Sequence, residues 1–312
     1  MELLRTELRI DFLRYRHLCL TVSGALVLLS LIGFLYPGPR VGLDFGGGAE
    51  GEFSFRKPVS TAELRQAVAN LGFQEAEVVE VAGKHAQLLV RVGTNSDKAP
   101  NTAMNKLAAG VERALADRGP STLRMEWVGP RASERLRSDA LQALLYAVGL
   151  IMVYVTFRFD LRFAPGAAAA LIHDVIITAG IYTALRKEIT LVTVTALLTV
   201  VGYSINDTIV IYDRVRENLQ RMRDKSLYEV INISTSQTLS RTLITSATTI
   251  VSVSGFFIFG TPALRDLAFA LCVGFIVGTY STVYVASSIT ELVDKRFFRT
   301  SAPQKRPAIS PR

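Results

Sequence analysis

The chain has 312 residues, 49% of them hydrophobic, and a formal net charge of +8. A mean hydropathy of +0.30 is too high for an ordinary soluble protein and is typical of a protein that crosses a membrane several times. The positive charge would suit a nucleic-acid-binding protein, but much of it flanks apolar segments and no aromatic-basic motif of the RNA-binding type occurs, so the composition argues against that class.

The first predicted element is a membrane span at residues 18–36. It follows a basic amino-terminal stretch, residues 1–17, and a basic start before an apolar run is also the pattern of a signal peptide. This run is long for a signal core, however, and the Pro-Gly-Pro-Arg of residues 37–40 stands where a small-residue cleavage site would be needed. We therefore expect an uncleaved span.

Residues 37–137 are numerous enough to form a small α+β domain of their own. The pattern predicts strands at 41–45 and 49–55, a helix that starts at Ser60, strands at 77–81 and 86–92 joined by a turn at Gly83-Lys84, a helix at 101–117 and a final strand at 122–128. Glu63, three residues after Ser60, completes a capping box. The order β-α-β-β-α-β predicts a ferredoxin-like sandwich.

Five more apolar segments follow this domain and predict an α-helical membrane protein with six spans. They cover residues 140–157, 164–185, 190–212, 243–259 and 267–292. Each has roughly the length that a helix needs to cross about 30 Å of hydrocarbon. The expected organisation is a cytoplasmic amino terminus at 1–17, the first span at 18–36, an extracytoplasmic domain at 37–137, spans two to six within 138–294, and a cytoplasmic tail at 295–312.

The distribution of basic residues sets the expected orientation. Six spans place both termini on the same side of the membrane, and the basic short loops fall on that side. They are the loop with Arg158 and Arg162, the loop at 213–226, and the start of the tail at 295–299. Because short cytoplasmic loops are rich in lysine and arginine, we expect both termini in the cytoplasm and the domain at 37–137 outside.

Asp207 is the strongest functional candidate, because it lies inside the fourth predicted span, next to Asn206. A carboxylate in a span costs several kcal/mol unless it is paired, protonated or hydrated. A polar stripe at helical spacing opens the fifth span and consists of Arg241, Thr245, Thr248 and Ser252. Such a stripe faces protein or water and not lipid.

Asp207 and Arg241 suit two different roles. Protonation of the aspartate would break its pairing with the arginine, and such a change can shift how helices pack, which is the chemistry of a proton carrier. A permanent structural ion pair would use the same two residues. The residues alone leave both interpretations open.

Asp174 and Asp213 form a possible second polar site. Asp174 follows His173 inside the third span, and its simplest role is an interhelical hydrogen bond. Asp213 lies at the membrane edge, where solvated charges are ordinary.

Residues 219–231 carry apolar side chains between basic ones and predict an amphipathic helix that lies on the cytoplasmic surface.

No metal or cofactor site is expected from the sequence. Cys19 and Cys272 lie in apolar runs and are interpreted as free thiols, and the histidines are scattered along the chain. No metal-ligand spacing of cysteine or histidine occurs.

Four segments carry motifs that recur together in one protein family. Residues 42–48 read Gly-Leu-Asp-Phe-Gly-Gly-Gly, and the others lie at 154–159, 164–174 and 200–218. The motif residues of the first segment are Gly42, Asp44, Phe45, Gly46 and Gly47. Together the segments resemble the SecF family of protein-export membrane proteins. The first motif also occurs in SecD, but SecD has a much larger outside domain, so the size of this one favours SecF.

The resemblance implies half of a resistance-nodulation-division type bundle, with six spans pseudo-symmetric to those of SecD. It implies an auxiliary subunit of the Sec translocase that uses the proton-motive force, without covalent catalysis, in the bacterial cytoplasmic (inner) membrane. By motif position, Asp207 and Arg241 match the proton-relay residues of the family, with Asn206 beside them. The implied partners are a SecD-type subunit, the Sec translocon, unfolded preprotein and membrane lipids.

Three other classes fit parts of the pattern. A proton-coupled small-molecule or lipid transporter of the same superfamily is the nearest alternative, but it would need a second six-span repeat, which 312 residues cannot hold. An intramembrane aspartyl protease would need a Gly-x-Gly-Asp on another span, which is missing, although Tyr212-Asp213 resembles one half of such a site. A purely structural scaffold would tolerate the replacement Asp207→Asn.

Overall fold

The computed structural model describes residues 10–73, 76–80, 87–93 and 100–298. These residues form two compact units. The helical unit consists of the described residues up to Pro39, Leu144–Lys187, and the described residues from Thr195 onward, and the sheet unit consists of the described part of Arg40–Ala143 together with Glu188–Val194. The predicted turn at Gly83-Lys84 and most of the predicted tail, residues 299–312, lie outside the described residues.

The elements of the two units alternate along the chain. In chain order they are α1 (Arg16–Leu35), β1 (Arg40–Val41), α2 (Leu43–Gly46), β2 (Gly48–Phe55), α3 (Thr61–Asn70), β3 (Glu77–Glu80), β4 (Gln87–Val92), α4 (Pro100–Ala114), β5 (Pro120–Val128), α5 (Pro130–Arg158), α6 (Ala164–Ala184), β6 (Glu188–Ile189), α7 (Leu191–Arg221), α8 (Leu227–Phe259), α9 (Pro262–Tyr280) and α10 (Ser287–Val293). A 3-10 turn, Phe12–Tyr15, precedes α1, and π-helical turns at Ser281–Ala286 and Asp294–Phe298 flank α10.

Six segments of the described chain are long and apolar enough to cross a membrane, which confirms the predicted number of spans. Their bounds are Phe12–Leu35, Pro130–Arg158, Ala164–Ala184, Leu191–Arg221, Leu227–Phe259 and Pro262–Phe298. The second, fourth and fifth spans, which are helices α5, α7 and α8, are longer than the apolar runs that predict them. Polar turns at their ends continue the same helices.

The end of α7 and the start of α8 form a helical hairpin joined by residues 222–226. Ser226 and Glu229 build a capping box that begins α8. Leu227, Val230 and Ile231 are buried in the core of the helical unit. The predicted surface helix at 219–231 is therefore wrong, because the two long helices divide this segment between them and bury its apolar side chains.

Helices α7 and α9 approach each other closely at Gly274. A Cβ atom at this position would lie 2.1 Å from Cγ2 of Val200, so a larger residue does not fit without movement of the helices. A Cβ atom at Gly278, one turn later on α9, would lie 3.2 Å from Cβ of Ser204 on α7, which is a tight but less severe contact. Small residues of this kind allow close packing of spans.

The sheet unit contains a four-stranded antiparallel sheet in the order β3-β4-β2-β5. Its core includes Phe53 and Val90 from the sheet, Leu64 from α3 and Val111 from α4, all fully buried. Ser60 accepts a 3.1 Å hydrogen bond from the amide of Glu63 and so caps α3. The ferredoxin-like α+β sandwich expected from the sequence is confirmed.

The predicted strand at 41–45 is wrong in extent. Only Arg40–Val41 is a strand, β1, and the helical turn α2 follows it. β1 pairs in parallel with β6, which lies almost 150 residues further along the chain. This pairing is missed by sequence reasoning because a two-residue strand has no periodicity of its own.

Candidate functional site

Asp207 lies on α7 with only 4% of its surface exposed. Its carboxylate interacts with the hydroxyl of Ser246 and, through charge, with the guanidinium of Arg241, and both of these residues are on α8. In the described part of the chain, the carboxylate and the guanidinium form no direct salt bridge. The structure therefore brings the two predicted residues near each other without locking them into a fixed ion pair.

The position of Arg241 differs from the sequence expectation. The sequence places it at the start of the fifth span, but α8 begins at Leu227, 14 residues earlier (241 − 227 = 14). Asp207 likewise lies 14 residues before the end of α7 at Arg221 (221 − 207 = 14). Because the two helices form a hairpin, equal distances from its closed end put the two charged residues at about the same level.

Hydroxyl groups connect the helices around Asp207. Tyr203 on α7 and Thr249 on α8 share a 2.9 Å hydrogen bond, and Ser246 on α8 and Thr279 on α9 share one of 2.8 Å. Ser246 thus lies near the carboxylate of Asp207 and shares a hydrogen bond with α9. Sequence reasoning missed Ser246 and Thr249, and the only available signal was the high content of serine and threonine in this segment.

The predicted polar stripe lies on a face of α8 that the described chain leaves largely open. Its members are the exposed Arg241, Thr248 and Ser252 and the half-buried Thr245. Each hydroxyl donates to the carbonyl four residues earlier in α8, at 3.0, 2.8 and 2.8 Å for Thr245, Thr248 and Ser252. The hydroxyls are therefore satisfied within the helix, whereas the exposed arginine would be costly against lipid.

Asn206 is exposed on α7, beside the buried Asp207. The sequence suggests that it could hydrogen-bond to a neighbouring span. Among the residues that the structure describes, no such bond links its side chain to another span of this chain. Asn206 and Asp207 therefore point to different surroundings although they are adjacent.

Asp174 on α6 is completely buried and is the centre of a separate polar cluster. Its Oδ2 accepts hydrogen bonds from Ser204 of α7 at 2.6 Å and from Ser281 of the π-helical turn at 2.8 Å. Nδ1 of His173 lies 2.9 Å from its Oδ1. The carboxylate is thus held by interhelical hydrogen bonds, which is the arrangement that the sequence favours for it.

Asp213 lies apart from both clusters. Its carboxylate is mostly exposed and lies 3.2 Å from the guanidinium of Arg158. It is six residues from Asp207, about 9 Å along the helix axis. The structure does not bring Asp174 and Asp213 together, so they are not one site.

The motif at Gly42, Asp44, Phe45, Gly46 and Gly47 lies in the sheet unit. Phe45 is buried, and the residues from Leu43 to Gly46 form the turn α2. The carboxylate of Asp44 accepts a 2.9 Å hydrogen bond from the amide of Leu191, the first residue of α7. The motif thus meets the beginning of the helix that carries Asp207.

In the described ranges, no group of three or more histidine, cysteine or acidic side chains could hold a metal ion. Cys19 and Cys272 are free and lie in different spans.

Comparison with known proteins points to the Sec export system. The family model "Protein export membrane protein SecD/SecF, C-terminal" matches residues 111–296. The protein translocase subunit SecF of Magnetococcus marinus is 41% identical, over 94% of this chain and 95% of its own length. The SecF of Calditerrivibrio nitroreducens is 37% identical, over 94% of this chain and 97% of its own.

Two solved structures share the fold. The crystal structure of SecDF, a translocon-associated membrane protein from Thermus thermophilus, matches with a TM-score of 0.83 and 35% identity over 94% of this chain. A structure of SecDF in a super-membrane-facing form matches with a TM-score of 0.65 and 36% identity over 90% of this chain. The chain spans only 40% of the first SecDF chain and 39% of the second.

Proposed function

Because the chain belongs to the SecF family of protein translocase subunits, we propose that it acts with a SecD-type subunit as an auxiliary part of the Sec translocase. The two subunits use the proton-motive force to promote the passage of unfolded preprotein across the membrane and its release. The role requires movement of helices and no covalent chemistry.

The burial of Asp207 where α7, α8 and α9 meet is the observation that carries this proposal. A proton that binds to Asp207 removes its charge and with it the attraction to Arg241, and a proton that leaves restores both. A charge inside a span must be compensated. The two protonation states therefore favour different positions of α8 relative to α7, and a proton gradient can drive the change between them.

The open face of α8 supports a SecD-type partner. Arg241 and Ser252 are exposed there, and Asn206 is exposed on α7. An arginine on a span is stabilised by protein or water but not by lipid. A second six-span subunit against this face would cover Arg241. Such a subunit would correspond to the part of the SecDF chain that lies outside the match to this chain.

The orientation proposed for the chain follows the positive-inside rule. Both termini and the hairpin at 222–226 lie in the cytoplasm, and the sheet unit lies outside the inner membrane, where it can meet emerging preprotein. The basic residues of the hairpin support this orientation, since Arg221, Arg223 and Lys225 are exposed or half-buried there.

The replacement Asp207→Asn tests the proposed relay. The amide keeps the size of the side chain but is neutral and neither binds nor releases a proton. The stimulation of preprotein export by the proton-motive force should therefore disappear, while the complex with the SecD-type subunit still assembles. Asp213→Asn is the matched control, because Asp213 is an exposed carboxylate on the same helix. Export that is equally stimulated in wild type and Asp207→Asn would refute the relay.

A further inference from the structure

The amino terminus of α7 is held by a side chain from a distant part of the sequence. The first amide groups of a helix have no acceptor within the helix. The amide of Leu191 donates its 2.9 Å hydrogen bond to Oδ2 of Asp44, which lies 147 residues earlier. The negative charge of Asp44 also suits the positive end of the helix dipole.

The backbone near Asp44 runs directly beside the segment that leads into α7. Strands β1 and β6 pair in parallel, and the amide of Gly42 continues the pairing with a 2.9 Å hydrogen bond to the carbonyl of Ile189. A Cβ atom on Gly42 would lie 2.5 Å from Cγ2 of Thr190. Because only glycine permits this approach, the two segments are in direct backbone contact.

A second set of contacts ties the same segment to the four-stranded sheet. Arg91 of β4 bridges Glu50 of β2 and Glu188 of β6, and it lies 2.9 Å from Glu188. Arg137 donates a hydrogen bond to the carbonyl of Phe45. The first residues of α7 therefore belong to the sheet unit, whereas the rest of the helix belongs to the helical unit.

We propose that Asp44 is a positioning residue that couples the sheet unit to Asp207, an inference that rests on the function proposed for Asp207. With its first turn bound to Asp44, α7 moves when the sheet unit moves. Helix α7 is unbroken from Leu191 to Arg221, and Asp207 is 16 residues from its start (207 − 191 = 16), about 24 Å along the axis. A rigid helix of this kind carries a displacement from one end to the other.

The coupling gives the motif a defined task. When preprotein displaces the sheet unit, the displacement shifts Asp207 relative to Arg241 and Ser246. When a proton binds to or leaves Asp207, α7 moves, and its contact with Asp44 transmits this movement to the sheet unit. Loss of the Asp44 contact should therefore uncouple proton uptake at Asp207 from preprotein export, while Asp207 and the sheet unit both stay intact.

The variants Asp44→Ala and Asp44→Asn test the coupling in the full chain assembled with its SecD-type partner in proteoliposomes. Asp44→Ala removes the acceptor and the charge, and Asp44→Asn keeps an acceptor oxygen but removes the charge. We expect the export stimulated by the proton-motive force to fall roughly fivefold or more in Asp44→Ala and less in Asp44→Asn. Proton uptake that depends on Asp207 should persist in both.

Two outcomes would overturn the coupling. Export in Asp44→Ala that equals the wild type would show that the contact carries no displacement. Equal losses of proton uptake and export would show that Asp44 only supports the fold. Failure of the function proposed for Asp207 gives a different result, namely unchanged export in Asp207→Asn.

A second pair of variants keeps the test decisive if Asp44→Ala folds poorly. Gly42→Ala forces the two segments apart, because its Cβ atom meets Cγ2 of Thr190. Thr190→Ser removes that methyl group and keeps the hydroxyl that accepts from the amide of Thr193. We expect Gly42→Ala to lower proton-driven export, Thr190→Ser alone to leave it unchanged, and the double variant to restore it. No loss in Gly42→Ala would contradict the coupling.

Discussion

Ser204 on α7 donates a 2.6 Å hydrogen bond to Asp174 on α6, and both side chains are almost completely buried. Ser281 donates to the same carboxylate oxygen, so one aspartate connects the third, fourth and sixth spans. Ser204 lies three residues before Asp207, nearly one helical turn. The Asp174 cluster therefore fixes the rotation of α7 close to the candidate relay residue.

Replacement of Asp174 should destabilise the helical unit. In Asp174→Ala the buried hydroxyls of Ser204 and Ser281 lose their acceptor, and we expect the free energy of unfolding to fall by about 2 kcal/mol. Asp174→Asn should cost less, because its amide oxygen still accepts a hydrogen bond. SDS titration of the purified full chain in mixed micelles measures both values.

The control for this prediction is Asp213→Ala. The carboxylate of Asp213 is exposed and its pairing with Arg158 is at the surface, so its loss should change the free energy of unfolding by less than about 0.5 kcal/mol. Equal effects of Asp174→Ala and Asp213→Ala would contradict the role of Asp174 as the connection between spans.

Two glycines in spans should respond to alanine in opposite ways. Gly274→Ala places a methyl group 2.1 Å from Val200, and the resulting overpacking should cost about 1–3 kcal/mol. Gly202→Ala meets nothing within 4 Å, so it should be neutral or stabilise α7 by up to about 1 kcal/mol through helix propensity. Thermal unfolding of the two variants under identical conditions makes the comparison. A lower midpoint for Gly202→Ala than for Gly274→Ala would be inconsistent with the close packing of α7 and α9.

The stability of the sheet unit should depend on pH through Glu50. Burial raises the pKa of the Glu50 carboxyl above its ordinary value of 4.5, and the hydrogen bond and charge of Arg91 oppose this shift only in part. A pKa that is higher in the folded state means that the folded state binds the proton more tightly. The contribution of Glu50 to stability therefore increases as the pH falls through its folded-state pKa towards 4.5.

The fluorescence of Trp127 on β5 can follow this effect in the full chain, because Trp127 is the single tryptophan of the sequence and lies in the sheet unit. The wild type should gain stability relative to Glu50→Gln as the pH is lowered from about 7 to about 5, since glutamine cannot take up the proton. Identical pH dependence of the two proteins would exclude Glu50 as the source.

Much of the fold could be predicted because its signals are local. The length of each apolar run specifies a membrane span, and the alternation of strands and helices at 49–128 specifies the ferredoxin-like sandwich. The cost of a carboxylate in a span likewise singles out Asp207 from the sequence, and its role as a proton relay stays a prediction. The wrong predictions, at 41–45 and 219–231, concern segments whose structure depends on partners elsewhere in the chain.

The six spans, the sheet domain and the presence of an acid inside a span follow from the amino-acid sequence alone, because apolar length, periodicity and the cost of burying charge act within one segment. The folded chain was needed to find that Ser246 lies near Asp207, that Ser204 and Ser281 donate hydrogen bonds to Asp174, and that Asp44 caps α7. These contacts join residues between 30 and 147 positions apart, and hydrogen bonds over such separations depend on how helices and strands pack, which no local pattern encodes.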